Sequence, residues 1–253
     1  MVLGLLAGNT SLRFGLFDAG LILEWGRIEW TDLASRGPEL TRLVTGKRIS
    51  ESVAGSVRDD LLERVGAWLP PELWPPRMAR RDFAIPISNR YDPPGDVGTD
   101  RLLNALAAKS LAEGNASVAV DFGTAVSISV TAWDGAFVGG AIAAGGKTIA
   151  LGLQAAAPRL PLVVPGPAKA AIQNRTLGAV QCGVYWEVAG GVRSILQGIL
   201  RELGSGGADG SRKPRVLATG GEASVFAASI PEIDQVVPEL TLRGLCIACS
   251  MRG

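Results

Sequence analysis

Two segments of the chain share one hydrophobic pattern: an apolar run, a glycine turn, and a second run in which apolar and polar positions alternate. Such alternation is typical of a half-buried β-strand. The two copies begin at residues 2–7 and 117–121, turn at Gly8-Asn9-Thr10 and Gly123-Thr124, and alternate over 11–17 and 125–133. A further strand-like run follows each copy, over 21–30 and 136–142. The pattern therefore predicts two meanders of three antiparallel strands.

Helical stretches follow each predicted meander, and a short buried strand lies near the end of the chain. The helices are expected at 38–43, 56–68, 101–113, 149–157 and 176–203, and the strand at 216–218. Two βββ units, each followed by helices and further strands, predict a duplicated α/β fold with a cleft between its halves. We place the boundary near Gly114, a good helix C-cap residue, which gives domains 1–114 and 115–253.

Composition narrows the classes of function. Of the 253 residues, 47% are apolar, and 25 basic residues nearly balance 24 acidic ones. This excludes a disordered chain and gives no electrostatic reason to expect a nucleic-acid partner. No apolar run is long enough to span a bilayer, and the first residues do not resemble a signal peptide. We therefore expect a cytoplasmic protein without a membrane partner.

The absence of histidine restricts the chemistry. It excludes Ser-His-Asp and Cys-His catalysis as well as any histidine-ligated metal. Cys246 and Cys249 have C-x-x-C spacing, but no second pair exists that would complete a zinc site. Acid–base work is left to carboxylates, lysine, tyrosine or water.

Glycine turns between strands are candidate phosphate sites. Such turns expose backbone N–H groups and a hydroxyl with little side-chain bulk, so phosphate oxygens can approach closely. One turn alone is a weak signal, because most glycine turns are structural. Two copies in register, together with a third turn at Thr219-Gly220-Gly221 after a buried strand, predict a nucleotide-binding cleft.

A second candidate site is Gly98-Thr99-Asp100-Arg101, where a helix begins. Asp100 is either a helix N-cap, for which Asp is among the best residues, or a general base. In the second interpretation, the guanidinium of Arg101 binds an anionic group of the substrate. Spacing alone leaves both interpretations open.

Taken together, these segments resemble the type III pantothenate kinase family of the actin-like ATPase superfamily. The family carries an Asp-x-Gly-Asn-Thr turn, Gly-x-Asp-Arg before an Asn-Ala helix, Val-Asp-Phe-Gly-Thr-Ala, a Gly-Gly-Ala-Ile loop, an Asn-Thr-type turn and Thr-Gly-Gly. The matching segments occur here in the same order, at Gly8-Asn9-Thr10, Gly98-Thr99-Asp100-Arg101 with Asn104-Ala105, residues 120–125, Gly139-Gly140-Ala141-Ile142, Asn174-Arg175-Thr176 and Thr219-Gly220-Gly221.

The resemblance implies a fold and an activity. The fold would be a pair of actin-like, ribonuclease H-like domains, each with a mixed five-stranded sheet, a βββ meander and flanking helices. The activity would be ATP-dependent phosphorylation of pantothenate to 4'-phosphopantothenate, the first step of coenzyme A biosynthesis. A homodimer is implied as well, since the family's active site forms at a dimer interface.

The resemblance also implies roles for the substrate-site residues. Asp100 would deprotonate the primary hydroxyl of pantothenate. The residues that would hold this substrate are Tyr91, Gly98, Thr99, Arg101 and Thr176. Taken by themselves, Tyr91 is equally an ordinary half-buried tyrosine and Thr176 equally a plain N-cap.

The implied cofactors are ATP with Mg²⁺ and a monovalent cation, K⁺ or NH₄⁺. Asp121 would lie at the monovalent cation, and Thr124 with the first turn would cradle ATP. The remaining ATP-binding residues would be Ala7, Gly8, Asn9 and Thr10 in the first turn, with Gly220 and Gly221 near the adenosine end.

One departure from the family pattern bears on activity. Superposing Gly8 on Gly123 places Leu6 opposite Asp121, so the family's first-turn aspartate falls on Leu6. In this superfamily that carboxylate lies near the Mg²⁺ of ATP, and its loss could lower turnover by a factor on the order of hundreds. A smaller departure is Ala144, where the family usually has proline.

Two hypotheses follow from the departure at Leu6: a pantothenate kinase of reduced turnover, and a non-catalytic relative with a binding or regulatory role. A third interpretation, a sugar or acetate kinase of the same superfamily, is weaker because Gly-x-Asp-Arg belongs to the pantothenate branch.

Overall fold

The structure is a computed structural model that describes residues 1–168, 170–206 and 210–251. Its strands are β1 Val2–Ala7, β2 Ser11–Asp18, β3 Leu21–Glu29, β4 Glu51–Ser56, β5 Arg77–Met78, β6 Ser117–Phe122, β7 Ala125–Thr131, β8 Phe137–Ala144, β9 Arg215–Thr219 and β10 Gln235–Val236. Its α-helices are α1 Leu33–Arg36, α2 Pro38–Val44, α3 Asp59–Leu62, α4 Thr99–Leu111, α5 Gly146–Ala156, α6 Thr176–Leu203, α7 Ala223–Phe226 and α8 Leu240–Ser250.

The chain divides into two compact units. The first contains Met1–Ala107 together with the chain from Glu239 onward, and the second contains Ala108–Pro238. The sequence-based division, 1–114 and 115–253, differs from this one mainly at the C-terminus. The physical reason is α8, whose apolar residues Leu242 and Leu245 are buried in a core cluster with β1 and β4 residues of the first unit.

The first unit is built on a mixed sheet of order β3-β2-β1-β4-β5. β1 pairs antiparallel with β2 and parallel with β4, so it lies in the middle and is buried on both faces. Leu3 and Leu5 pack into the core on one face, while Leu6 packs into the α8 cluster on the other. A near-continuous apolar run is what a central strand of this kind requires.

The second unit repeats this plan with the sheet order β10-β9-β6-β7-β8. β6 pairs antiparallel with β7 and parallel with β9, as β1 does with β2 and β4. One face carries an apolar core against α6 and α7, in which Phe226 stacks between Phe122 and Tyr185. The two mixed five-stranded sheets, each with a βββ meander, confirm the predicted α/β class and its duplication.

The helix predicted over 56–68 is wrong as a single element. β4 runs to Ser56, α3 covers Asp59–Leu62, and a 3-10 helix covers Glu63–Trp68. β4 itself was not predicted, because a central strand with only Val53 and Ala54 as apolar residues shows no alternation. None of the helices in the described part of the chain has both the length and the apolar character needed to cross a membrane.

Candidate active site

In the first unit, the carboxylate of Asp100 lies over the start of α4. The helix begins at Thr99, and Gly98 precedes it, so Asp100 is in the first turn and is not the N-cap residue. Its Oδ1 accepts a hydrogen bond of 2.9 Å from the Arg101 backbone N–H. A Cβ atom at Gly98 would lie 2.5 Å from that oxygen, so only glycine allows this approach. The positive end of the helix dipole favours the charged carboxylate there.

The side chains of Arg101 and Tyr91 lie together near the start of α4. Arg101 is 5% exposed, and its guanidinium carbon lies 5.5 Å from the centroid of the Tyr91 ring. This is a cation–π contact, and it holds a buried positive charge close to the start of α4. The Tyr91 N–H donates to Asn89 Oδ1 over 3.0 Å, which fixes the loop that carries the ring. Thus the structure brings together Tyr91, Gly98, Asp100 and Arg101.

Arg80 braces the loop before α4. Its guanidinium donates to the backbone oxygens of Val97 and, over 3.1 Å, Gly95. No role of Arg80 was predicted, because both acceptors are main-chain atoms that sequence spacing does not reveal. Next to this brace lies a cavity of about 330 Å³, whose lining includes Arg80, Gly95 and Thr99.

The first glycine turn is closed by backbone bonds and by Trp30. Gly8 N–H donates to Ser11 O over 3.0 Å, and the indole of Trp30 donates to Gly8 O over 2.8 Å. The side chains of Asn9 and Thr10 are exposed at the tip of the turn. Ala7, at the end of β1, differs from them because its side chain is buried in the core of the first unit.

Leu6, at the position of the family's aspartate, is 5% exposed and packs in an apolar cluster. It pairs with Arg13 across the hairpin and with Gly55 on β4. Arg13 Nη1 in turn donates to Thr241 Oγ1 of α8 over 2.9 Å. This end of β1 therefore offers an aliphatic side chain where a carboxylate ligand would lie.

In the second unit, Asp121 lies at the end of β6 and is 6% exposed. It is covered by the turn after β9: Gly220 has φ of +97°, and a Cβ atom there would collide with Asp121 Oδ1. A left-handed glycine is thus required for the Thr219-Gly220-Gly221 turn to pass over the carboxylate. The structure brings Asp121 and Gly220 together, a contact that was not predicted from the sequence.

Thr124 occupies the tip of the β6–β7 turn. Its side chain is exposed, while its carbonyl oxygen accepts Gly145 N–H over 3.0 Å and Thr148 Oγ1–H over 2.6 Å. The turn is one residue shorter than the first one, since Gly123 N–H bonds to Ala125 O whereas Gly8 N–H bonds to Ser11 O. The hydrogen bonds from Gly145 and Thr148 to Thr124 O connect the start of α5 to this turn.

Thr176 is the first residue of α6 and is exposed. The N-cap is Arg175, in extended conformation, so the plain N-cap interpretation of Thr176 is wrong. Thr176 belongs to the second unit, whereas Tyr91, Asp100 and Arg101 belong to the first.

Carboxylates do not gather into a metal-binding cluster in the part of the chain that the structure describes. Within the described residues, no group of three or more Asp, Glu, Cys or His side chains is placed to hold a metal ion. The side chain of Asp121 is the sequence-predicted cation ligand, and Leu6 provides no oxygen. The first unit carries the Asp100 carboxylate and the buried Arg101 guanidinium, and each unit carries one exposed glycine turn of the phosphate-binding type.

Known proteins resemble this chain along nearly its whole length. The model of the family "type III pantothenate kinase" matches residues 2–198. The type III pantothenate kinase of Gluconobacter oxydans is 33% identical, with 97% of this chain and 91% of that protein covered. That of Paramagnetospirillum magneticum is 32% identical, with 97% of this chain and 95% of that protein covered.

Solved structures share the fold. Component A of (R)-2-hydroxyglutaryl-CoA dehydratase from Acidaminococcus fermentans has a TM-score of 0.51 at 13% identity, covering 98% of this chain and 95% of its own. The ethanolamine utilization protein EutJ from Carboxydothermus hydrogenoformans has a TM-score of 0.51 at 14% identity, covering 97% and 89%. These likenesses concern the fold alone and confirm its predicted actin-like class. The sequence matches go further: the chain belongs to the type III pantothenate kinase family.

Proposed function

We propose that this protein transfers the γ-phosphoryl group of ATP to the primary hydroxyl of pantothenate, the first step of coenzyme A biosynthesis. The observation that carries the proposal lies in the first turn of α4: the Asp100 carboxylate accepts the Arg101 backbone N–H, and the buried Arg101 guanidinium packs on the Tyr91 ring. Family membership over nearly the whole chain supplies the identity of the acceptor.

Asp100 acts as the general base in this proposal. The Arg101 N–H holds its carboxylate, and Gly98 leaves room for it because glycine has no side chain. In this position the carboxylate accepts the proton of the attacking hydroxyl. Arg101 binds the carboxylate of pantothenate by charge-assisted hydrogen bonds, and Tyr91 keeps its guanidinium in place. Thr99 lines the cavity beside them and contacts the substrate.

The nucleotide is assigned to the glycine turns. The turns at Gly8 to Thr10 and Gly123-Thr124, with the exposed side chains of Asn9, Thr10 and Thr124, suit the phosphates, and Gly220 with Gly221 suits the adenosine end. Magnesium bound to ATP would neutralise charge that develops on the transferred phosphoryl group. Since Leu6 offers no ligand and no carboxylate cluster lies in the described residues, the proposal gives Mg²⁺ no protein cage.

Asp121 fits a monovalent cation, K⁺ or NH₄⁺. Its carboxylate is buried, lies under the Gly220 turn, and is the acid nearest to the exposed Thr124 in the sequence. A single buried carboxylate suits a singly charged ion better than a strongly hydrated divalent one.

A homodimer completes the proposal. Large apolar side chains on α5, on α6 and between them are exposed, as an interface between copies would require. They are Leu151, Leu153, Leu162, Val164, Leu177 and Trp186. Sedimentation should give twice the chain mass, and Val164→Glu should give a folded monomer. A monomeric native protein would overturn this part of the proposal.

The main experiment measures pantothenate phosphorylation with ATP, Mg²⁺ and K⁺. We expect turnover by the native chain and a loss of about 10²–10⁴-fold in Asp100→Asn, with ATP binding retained. Asp96→Asn is the matched control, because Asp96 lies in the loop before α4 and is exposed. A small effect of Asp100→Asn would remove Asp100 from the role of base.

Leu6 favours a second candidate, a non-catalytic relative that keeps the fold and the ligand site. The same assay on Leu6→Asp separates the two. Native turnover at ordinary kinase rates would defeat the non-catalytic candidate, and rescue only in Leu6→Asp would show a decayed site. If neither the native protein nor Leu6→Asp phosphorylates pantothenate, the kinase proposal is overturned.

A further inference from the structure

Glu222 provides an unusual cap for α5. Its Oε2 accepts Gly146 N–H over 3.0 Å, and its Oε1 accepts Lys147 N–H over 3.3 Å. These are two of the N–H groups that the first turn of a helix leaves without an internal partner. The carboxylate comes from 75 or more residues further along the chain, directly after Gly220-Gly221.

A local cap is impossible at this helix. The N-cap residue is Gly145, which has no side-chain oxygen that could accept a hydrogen bond from the helix N–H groups. Any Cβ atom there would collide with Gly123 O and would lie 2.9 Å from Thr124 O. The close approach of α5 to the β6–β7 turn thus excludes the usual Ser, Thr, Asp or Asn cap. A side chain from another element takes the place of the local cap.

The backbone of Glu222 is anchored at the same place. Its N–H donates to Phe122 O at the end of β6 over 3.0 Å. The residue therefore connects three features of the second unit: the end of β6, the start of α5 and the turn at Gly220-Gly221. Thr148 and Gly145 join α5 to Thr124 from the other side.

We infer that Glu222 is a positioning residue that holds the Gly220-Gly221 turn and the Thr124 turn in the relative placement that ATP requires. The inference rests on the proposed function, since it assigns both turns to the nucleotide. The carboxylate acts through α5 and touches neither substrate. Its loss should therefore weaken ATP binding without changing the binding of the acceptor substrate.

The test compares Glu222→Ala and Glu222→Gln with the native protein and with Glu202→Gln, a matched control at an exposed glutamate of the same unit. We expect the KM for ATP, and the Kd of a non-hydrolysable ATP analogue, to rise about tenfold in Glu222→Ala. Glu222→Gln keeps one acceptor oxygen but turns an N–H donor towards the second helix N–H, so a rise of about threefold is expected. The KM for pantothenate should stay within about twofold of the native value.

The outcomes separate the two proposals. If the native protein turns over and both variants keep the native KM for ATP, the positioning role is overturned while the kinase proposal stands. A merely structural role would lower the melting temperature and kcat while leaving the KM for ATP unchanged, which also overturns it. If Glu222→Ala does not fold, the KM for ATP of Glu222→Gln tests the positioning role in its place. If the native protein neither binds ATP nor phosphorylates pantothenate, the kinase proposal itself fails.

Discussion

The side chain of Leu6 packs over Gly55, its partner on the neighbouring parallel strand β4. A Cβ atom built at Gly55 would lie 3.0 Å from Leu6 Cδ2 and equally close to Leu103 Cδ1 of α4. The position of the family's aspartate is thus filled by close aliphatic packing at the base of the helix that carries Asp100. Restoring the acid would add an oxygen ligand but would also place a charge in an apolar cluster.

Leu6→Asp should therefore destabilise the fold even if it assists the chemistry. We expect the free energy of unfolding to fall by about 2–4 kcal/mol, measured by urea denaturation. Burial would raise the pKa of the new carboxyl, so the loss should be larger at pH 8 than at pH 5. Leu6→Met, which conserves volume, should cost less than about 1.5 kcal/mol. Equal losses for the two variants would contradict the packing described for Leu6.

Gly98→Ala should separate the position of the Asp100 carboxylate from the stability of the fold. The added methyl would lie 2.5 Å from Asp100 Oδ1, so the carboxylate must turn away. We expect kcat to fall at least about tenfold with little change in melting temperature. Gly95→Ala is the control in the same loop, since no atom lies within 4 Å of its added methyl. Similar kcat values for both variants would argue against the proposed role of this contact.

Gly220→Ala should disturb both the backbone and the Asp121 site. Gly220 has φ of +97°, and the added methyl would collide with Asp121 Oδ1 and lie 2.5 Å from Phe122 O. The control is Gly46→Ala, which has φ of +74° but no atom within 4 Å of the new methyl. We expect a loss of about 1 kcal/mol for the control and clearly more for Gly220→Ala, along with weaker ATP binding. Calorimetric unfolding and titration with an ATP analogue measure both.

The meanders could be predicted from the sequence because their signals are local. β1 and β6 are apolar runs that end in glycine turns, and the strands after them alternate. β4 could not be predicted, because its own residues are mostly small or polar and its burial is supplied by its neighbours on both sides. Similarly, α8 follows the second unit in the chain but packs in the first, and only tertiary contacts reveal this.

The candidate site also contains some residues that could be predicted from the sequence and others that could not. Asp100, Arg101 and Asp121 lie in short motifs whose residue types indicate their chemistry. Arg80 and Glu222 were not predicted, since each acts on main-chain atoms that are distant in sequence or lie in irregular loops. Patterns of side chains cannot indicate which backbone groups need a partner until the fold places them.

Cys246 should be chemically inert in the folded chain. Burial raises the pKa of its thiol from 9.0 to about 11, with a smaller contribution from Cys249. Because the folded state keeps this proton more tightly than the unfolded state, the associated stability is complete below about pH 9 and is lost as the pH rises towards 11. Iodoacetamide at pH 8 should label the partly exposed Cys249, and Cys246 only in denaturant. Peptide mass mapping that finds native Cys246 labelled as fast as Cys249 would refute this.

Arg80→Lys should impair the acceptor site alone. A lysine ammonium lacks the fork with which the guanidinium reaches both Val97 O and Gly95 O, so the loop before α4 loses its brace. Arg80 has φ of +71°, but lysine bears the same backbone cost, so the comparison isolates the side chain. We expect the KM for pantothenate to rise about tenfold and the KM for ATP to stay unchanged.

The control for Arg80→Lys is Arg36→Lys, at an exposed arginine that pairs only with Glu39 among the side chains described around it. This variant should leave both KM values at the native level, since a surface ion pair contributes little. If Arg80→Lys raises the KM for ATP as much as that for pantothenate, the loop is not a specific part of the acceptor site. An unchanged KM for pantothenate would show that the loop before α4 keeps its position without the Arg80 brace.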